Sequence, residues 1–302
     1  MNLQFLADGL IIGTLIGLGA IGVTLTYSIL GFANFAHGEF IAWGTYFALA
    51  IAGAIGAMFD SDSEVIGALS FGWPVLAAGL VAAVLTGGLA LGLDLVLFSR
   101  LRRRGNAIVM VMASFGASMA LRSLLEFLFT SQPAYFSRDI QMAVPLGLGI
   151  RLTADQMFLL AMAAVIVVAM ERFMALSRTG RAMRAVSENP VLARVAGVDV
   201  EHVIRATWMI GGMLACAAGV MLGITVQIRP FMGFDMLLPL FAAAILGGIG
   251  SISGAMAGGL IVGVSEAAAV QVIGADYRAA VAFLILIAVL LVKPSGLFGW
   301  RE

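Results

Sequence analysis

The chain has 302 residues, 62% of them hydrophobic and 11% charged, with a formal net charge of zero and a mean hydropathy of +1.07. That composition excludes a water-soluble domain and reads as a polytopic membrane protein. All 17 basic residues except Lys293 are arginine, and they form no tail or patch of the kind nucleic acid requires; Cys216 stands alone in an apolar run, which excludes a disulfide framework and a thiolate metal site.

The N-terminus carries neither a basic leader nor a small-residue cleavage site, so the first apolar segment reads as a retained helix. Against a requirement of about 20 residues per crossing, spanning segments are predicted at roughly Phe5–Leu30, Phe40–Phe59, Pro74–Phe98, Ala107–Phe129, Gln156–Met174, Val203–Ile228 and Tyr277–Val292. Between the last two, residues 237–272 are too long for one helix and are cut by the glycine-rich run Gly247 to Gly254. This region reads as two shorter pieces meeting at the glycine break, the first open to a re-entrant course. The expectation is an all-α fold of about eight to nine transmembrane helices, in one transmembrane domain over residues 1–302.

Charge placement orients the segments. Arg100, Arg102, Arg103 and Arg104 follow the third segment, and Arg172, Arg178, Arg181, Arg184, Arg194 and Arg205 surround the longest polar stretch, so both regions belong in the cytoplasm. The loops holding Asp60, Asp62, Glu64, Asp139 and Asp155, against only Arg138 and Arg151, belong outside. Counting crossings puts the N-terminus outside and Lys293 and Arg301 in the cytoplasm, provided residues 237–272 cross twice.

The polar stretch Ser177 to Arg205 has legible local chemistry. Asn189 is a good N-cap, Pro190 suits a first helical position, and Gly197 falls where a helix closes in the left-handed conformation. Residues 190–196 should therefore form a short bounded helix, with Val191, Leu192 and Val195 as its apolar side chains. So short a helix needs a support. The residues alone leave two possibilities, a partner protein or the membrane surface.

Gly9, Gly13 and Gly17, and Gly250, Gly254 and Gly258, recur at four-residue spacing, with Gly259 and Gly263 as a second stripe. Such ridges suit close helix packing, within the chain or between subunits. Charges at membrane depth need partners. Arg122 and Glu126, four residues apart, are expected to pair with each other; Asp94 is expected to reach toward the arginine cluster, and Glu266 has no local cation. The segment Asn34-Phe35-Ala36-His37-Gly38-Glu39 can be a tight turn reaching interfacial water, or Asn34, His37 and Glu39 can stand at a translocation path or its gate.

The run GLGAIGVTLTYSILGFANFAHGEFIAWGTYFAL from Gly17 to Leu49 resembles the N-terminal signature of LivH-type permeases, the membrane subunits of branched-chain amino-acid ABC importers. GRAMRAVSENPVLARVAGVDVEHVI (Gly180 to Ile204) is similar to that family's cytoplasmic coupling loop, and LFAAAILGGIGSISGAMAGGLIVGVSE (Leu240 to Glu266) to its glycine-rich block. The resemblance implies a permease in a bacterial-type plasma membrane, in contact with membrane lipid. It also implies a homologous second permease, two cytoplasmic ATPases that carry ATP and Mg, and an extracytoplasmic solute-binding protein.

By that resemblance the coupling helix is Asn189 to Gly197, including Pro190 and Ala193, with Arg181, Arg184 and Glu188 beside it. No catalytic residue, metal or cofactor is expected on the chain itself. A P-loop needs G-x-x-x-x-G-K-[ST], and the one lysine, Lys293, is followed by Pro294. Leucine, isoleucine and valine are the expected cargo, with urea, short amides or other amino acids as alternatives within the family. The rival classes are an ion-coupled secondary transporter, which would use the broken segment at 237–272, and an intramembrane enzyme.

Overall fold

The computed structural model describes residues 3–59, 66–102, 105–137, 141–147, 149–293 and 295–298. Asp60, Asp62, Glu64, Arg103, Arg104, Arg138, Asp139 and Arg301 lie outside the described residues. Long apolar runs make long helices, because a backbone in hydrocarbon must satisfy its own hydrogen bonds. In chain order they are α1 (Gln4–Leu30), α2 (His37–Phe59), α3 (Trp73–Leu93) and α5 (Ala107–Phe129). A π-helix, Asp94–Phe98, carries α3 into the short α4 (Ser99–Arg102). A hairpin of β1 (Val144–Gly147) and β2 (Ile150–Leu152) precedes α6 (Ala154–Leu176), α7 (Arg178–Glu188), α8 (Pro190–Val195) and α9 (Val200–Thr225). Then come α10 (Met232–Gly247), α11 (Ile252–Ile273) and α12 (Arg278–Val292).

Eight stretches among the described residues are long and apolar enough to cross a membrane, and α10 is a shorter ninth apolar helix of 16 residues. The glycine break thus divides two helices. Gly248 and Gly250 take positive φ between them (97° and 91°), a conformation that glycine reaches without strain.

Helix α1 is the axis of the bundle, 89% of its most apolar window being buried, whereas α12 buries 6%. Glycine makes that central position possible. A Cβ on Gly13 would stand 2.8 Å from Gly259 O and from Leu260 Cα, and one on Gly17 would stand 2.6 Å from the Met256 sulfur. The ridge of Gly9, Gly13 and Gly17 therefore packs against α11 of the same chain, where Gly259 and Gly263 face it. On another side of α11, Gly258 meets Ala243 and Gly254 meets Gly247, both on α10.

Polar contacts gather at two ends of the bundle. At one, Gln4 Nε2 donates to Arg151 O at 3.0 Å and the Ser70 amide donates to Asp155 Oδ1 at 2.9 Å. Ala134 and Ile228 pair there as an isolated antiparallel bridge. At the other, the Gly250 amide donates to Thr24 Oγ1 at 2.7 Å, and Leu297 and Phe298 donate backbone N–H groups to Leu246 O and Gly247 O. Arg102 lies 3.9 Å from Glu201 at this same end.

Candidate functional site

Three places in the bundle carry chemistry. The first is the elbow α7–α8 between α6 and α9. Asn189 Oδ1 accepts from the amides of Val191 and Leu192, both at 3.0 Å, and so caps α8. Gly197 closes the helix at φ +85°, with its amide bonded to Arg194 O and the Val198 amide to Ala193 O. That is a Schellman closure; Asn189 and Gly197 close the helix as the sequence suggested, and α8 ends at Val195, one residue short of the expected Ala196.

The faces of α8 divide its side chains. Ala193 is 5% exposed and belongs to the core with Met183 and Val186, so it anchors α8 to its own chain and cannot touch a partner. Val191, Leu192 and Val195 point away, at 70%, 64% and 82% exposure. The only inward small residue is the anchor because a six-residue helix must bury something to stay attached. Arg181, Arg184, Glu188 and Asn189 are exposed beside this apolar triad, and Pro190 begins it.

The second place is the segment Asn34 to Glu39. After Gly31 ends α1 with φ +72°, the chain turns back into the bundle, and α2 begins beside Gly22. Gly22 lies eight residues before Leu30, about 12 Å along α1 at 1.5 Å per residue. A Cβ there would stand 2.7 Å from His37 Cε1, so glycine makes the room for the imidazole. Helix α5 satisfies the extended backbone, Ser114 Oγ accepting from the Phe35 amide at 3.1 Å, while Asn34 Oδ1 accepts from the Ala36 amide.

This segment does not reach interfacial water. Asn34, His37 and Glu39 are 2%, 1% and 0% exposed, and His37 and Glu39 lie in the first turn of α2, ahead of the predicted start at Phe40. Glu39 also overturns the expected Arg122–Glu126 pair. Arg122 Nη2 donates to Glu39 Oε1 at 2.6 Å, Ser118 Oγ donates to the same oxygen at 3.0 Å, and among the described residues Glu126 has no ion pair. The fully buried carboxylate has the greater need of a cation. Arg122 stands fifteen residues into α5, about 22 Å from its start, and its guanidinium lies 4.3 Å over the Phe234 ring and 5.0 Å over that of Phe231.

The third place is a cavity of about 960 Å³ at the end opposite α8, bounded by the close of α9, the start of α10 and the α11–α12 junction. Phe234 lines it, and the Arg122 guanidinium lies over the ring of that same residue. Glu266, which the sequence left without a cation, lines it too. Its Oε2 accepts from Arg278 Nε at 2.9 Å, across the turn that joins α11 to α12. Asp94 pairs with Arg102, as its position before the arginine cluster suggested.

A bundle of membrane-length helices with a capped, apolar-faced elbow at its arginine-rich end defines a polytopic integral membrane protein. The sequence matches the family described as "Branched-chain amino acid transport system / permease component" over residues 5–290. The chain belongs to that family. It is 34% identical over 306 residues to the high-affinity branched-chain amino acid transport system permease protein LivH of Escherichia coli (strain K12), covering 99% of this chain and 96% of the relative. It is also 34% identical over 305 residues to the corresponding permease protein BraD of Pseudomonas aeruginosa, with the same coverages. Among solved structures, PsaBC from Streptococcus pneumoniae in complex with Fab shares the fold at a TM-score of 0.50 and 13% identity, over 97% of this chain and 95% of that one.

Proposed function

We propose that this chain is the membrane-spanning permease subunit of an ATP-binding-cassette importer that brings leucine, isoleucine and valine into the cytoplasm by alternating access. It works with a second permease, two cytoplasmic ATPases that hold ATP and Mg, and an extracytoplasmic solute-binding protein. The family match over residues 5–290 supports the class, and the printed names of the relatives support the cargo. The observation that carries the mechanism is the exposed triad Val191, Leu192 and Val195 on a helix fixed at both ends.

In this reading the triad docks on an ATPase, with Arg181, Arg184 and Glu188 around it and Asn189, Pro190 and Gly197 setting its limits. Ala193 passes the motion inward to Met183 and Val186. The positive-inside rule places the α8 end, with Lys293, in the cytoplasm, and the cavity end then faces outward. Asn34, His37 and Glu39 are the gate: through Arg122, Glu39 holds Phe234, which walls the cavity. Gly13, Gly17, Gly254 and Gly258 serve helix packing within a single domain, whereas Gly250 lies outside the helices and serves the turn between α10 and α11 through its positive φ. The chain supplies no phosphate-binding loop, and its energy comes from the ATPases.

The test is to purify the tagged chain from its native membrane in mild detergent. A second permease, two P-loop subunits and ATPase activity raised by a binding protein are expected to accompany it. Recovery of the chain alone, with ion-driven uptake, would replace this reading by a secondary transporter.

A further inference from the structure

The cavity beside Phe234 has the chemistry of a site for a zwitterion. Its floor holds Glu266, 2% exposed, with Oε2 on Arg278 and Oε1 without a hydrogen-bond partner. A buried carboxyl oxygen without a hydrogen-bond partner is costly, and a ligand cation that reaches it would satisfy it. Arg278, half-exposed, stands beside it on the same wall, so one cationic and one anionic group face the space together. Leu222, Leu238 and Pro239 supply an apolar flank.

The sign of the lining narrows the ligand. Arg229 and Arg278 stand against Asp235, Glu266 and Asp276, two positive groups against three negative. A net anion is disfavoured. A neutral amide such as urea would leave the Glu266–Arg278 pair with no ion to match it.

We infer that this cavity is a solute site within the permease itself, where Glu266 receives the ammonium and Arg278 the carboxylate of an α-amino acid whose apolar side chain lies against Leu222 and Leu238. The inference rests on the import reading above and adds to it a residue-level site. It also makes the permease a second selector after the binding protein.

The experiment uses the purified complex of this chain with its second permease and ATPases in nanodiscs, without binding protein. L-Leucine binding is read by saturation-transfer NMR, with leucinamide, 4-methylpentanoate and urea as competitors. Wild type is expected to bind leucine saturably, and to bind leucinamide and 4-methylpentanoate more weakly, since each lacks one charge. Glu266→Gln and Arg278→Gln are each expected to weaken leucine about tenfold or more, the scale of one charge-assisted hydrogen bond. Ala279→Trp fills the cavity from an exposed lining position and leaves the ion pair in place, so it serves even where Glu266→Gln fails to fold. Leucine binding within twofold of wild type in folded Glu266→Gln or in Ala279→Trp would overturn the site, while uptake by wild type with binding protein and ATP would leave the import reading standing. No leucine uptake by the wild-type complex would remove that reading, and the inference with it.

Discussion

Arg122 on α5 and Glu39 on α2 meet at 2.6 Å inside the bundle, and the same guanidinium covers the ring of Phe234 on α10. Three helices are thus tied at one cation. Removing either charge leaves the other buried, a loss of about 3–5 kcal/mol. Glu39→Ala and Arg122→Ala are therefore expected to inactivate at clearly lower temperature in detergent than wild type. The double variant Glu39→Gln/Arg122→Met removes both charges and should recover most of that stability. If the pair is the gate, transport stays impaired in the double variant although its stability returns. Normal uptake there would reduce the pair to a structural tie.

How much of this was legible depends on the range of the interaction. The spans, the α8 caps and the glycine break are local, and hydropathy, Asn189, Gly197 and the run at 247–254 announced them. The partner of Arg122 is 83 residues away on another helix, and Glu126, one turn off, was the nearer choice. The inward face of α8 was hidden for a similar reason. Six residues carry too little pattern to show which side meets the body, and the fold alone decided for Ala193. The depth of the Asn34–Glu39 segment had no distinct signal, because Gly22 is one of several small residues in that part of α1, with Gly17, Gly19 and Ala20 close by.

Packing between α1 and α11 leaves no room for side chains at the glycines. Gly13→Leu places a branched chain where Gly259 O and Leu260 Cα already stand within 2.8 Å of the first added carbon. Overpacking of this kind costs about 1–3 kcal/mol or more, because backbone and not a flexible side chain must move. The chain should be recovered in lower yield and inactivate earlier on heating. Gly53→Leu, where nothing lies within 4 Å of the added Cβ, should match wild type in both measurements.

Asn189 satisfies two amides that otherwise have no partner within α8. Asn189→Ala should weaken the helix by about 1 kcal/mol, the usual worth of such a cap. A helix that frays transmits motion poorly. The expected outcome is an assembled transporter whose ATP consumption per leucine imported rises, with Asn189→Asp or Asn189→Ser close to normal because both side chains still cap. Unchanged stoichiometry in Asn189→Ala would mean that the cap does not set the coupling.

The docking face of α8 can be tested by its chemistry, because Cys216 is buried and is the one cysteine of the chain. A maleimide should leave wild type unlabelled until it is denatured, so introduced cysteines report their own surroundings. Val195→Cys, at 82% exposure, should label readily in the isolated chain and be protected once the ATPase subunits are bound. Labelling that ignores the ATPases would place the triad on the membrane surface instead. Val195→Asp tests the energetics: a charge pressed into an apolar groove costs more than the lost contact, since it must be desolvated unpaired. Its ATPase subunits should dissociate at least about tenfold more readily, which is the effect of 1.4 kcal/mol, while the helical bundle keeps its thermal stability. Ala193→Asp should do the reverse first, lowering the stability of the chain itself, because position 193 is buried in the core and not presented to the partner.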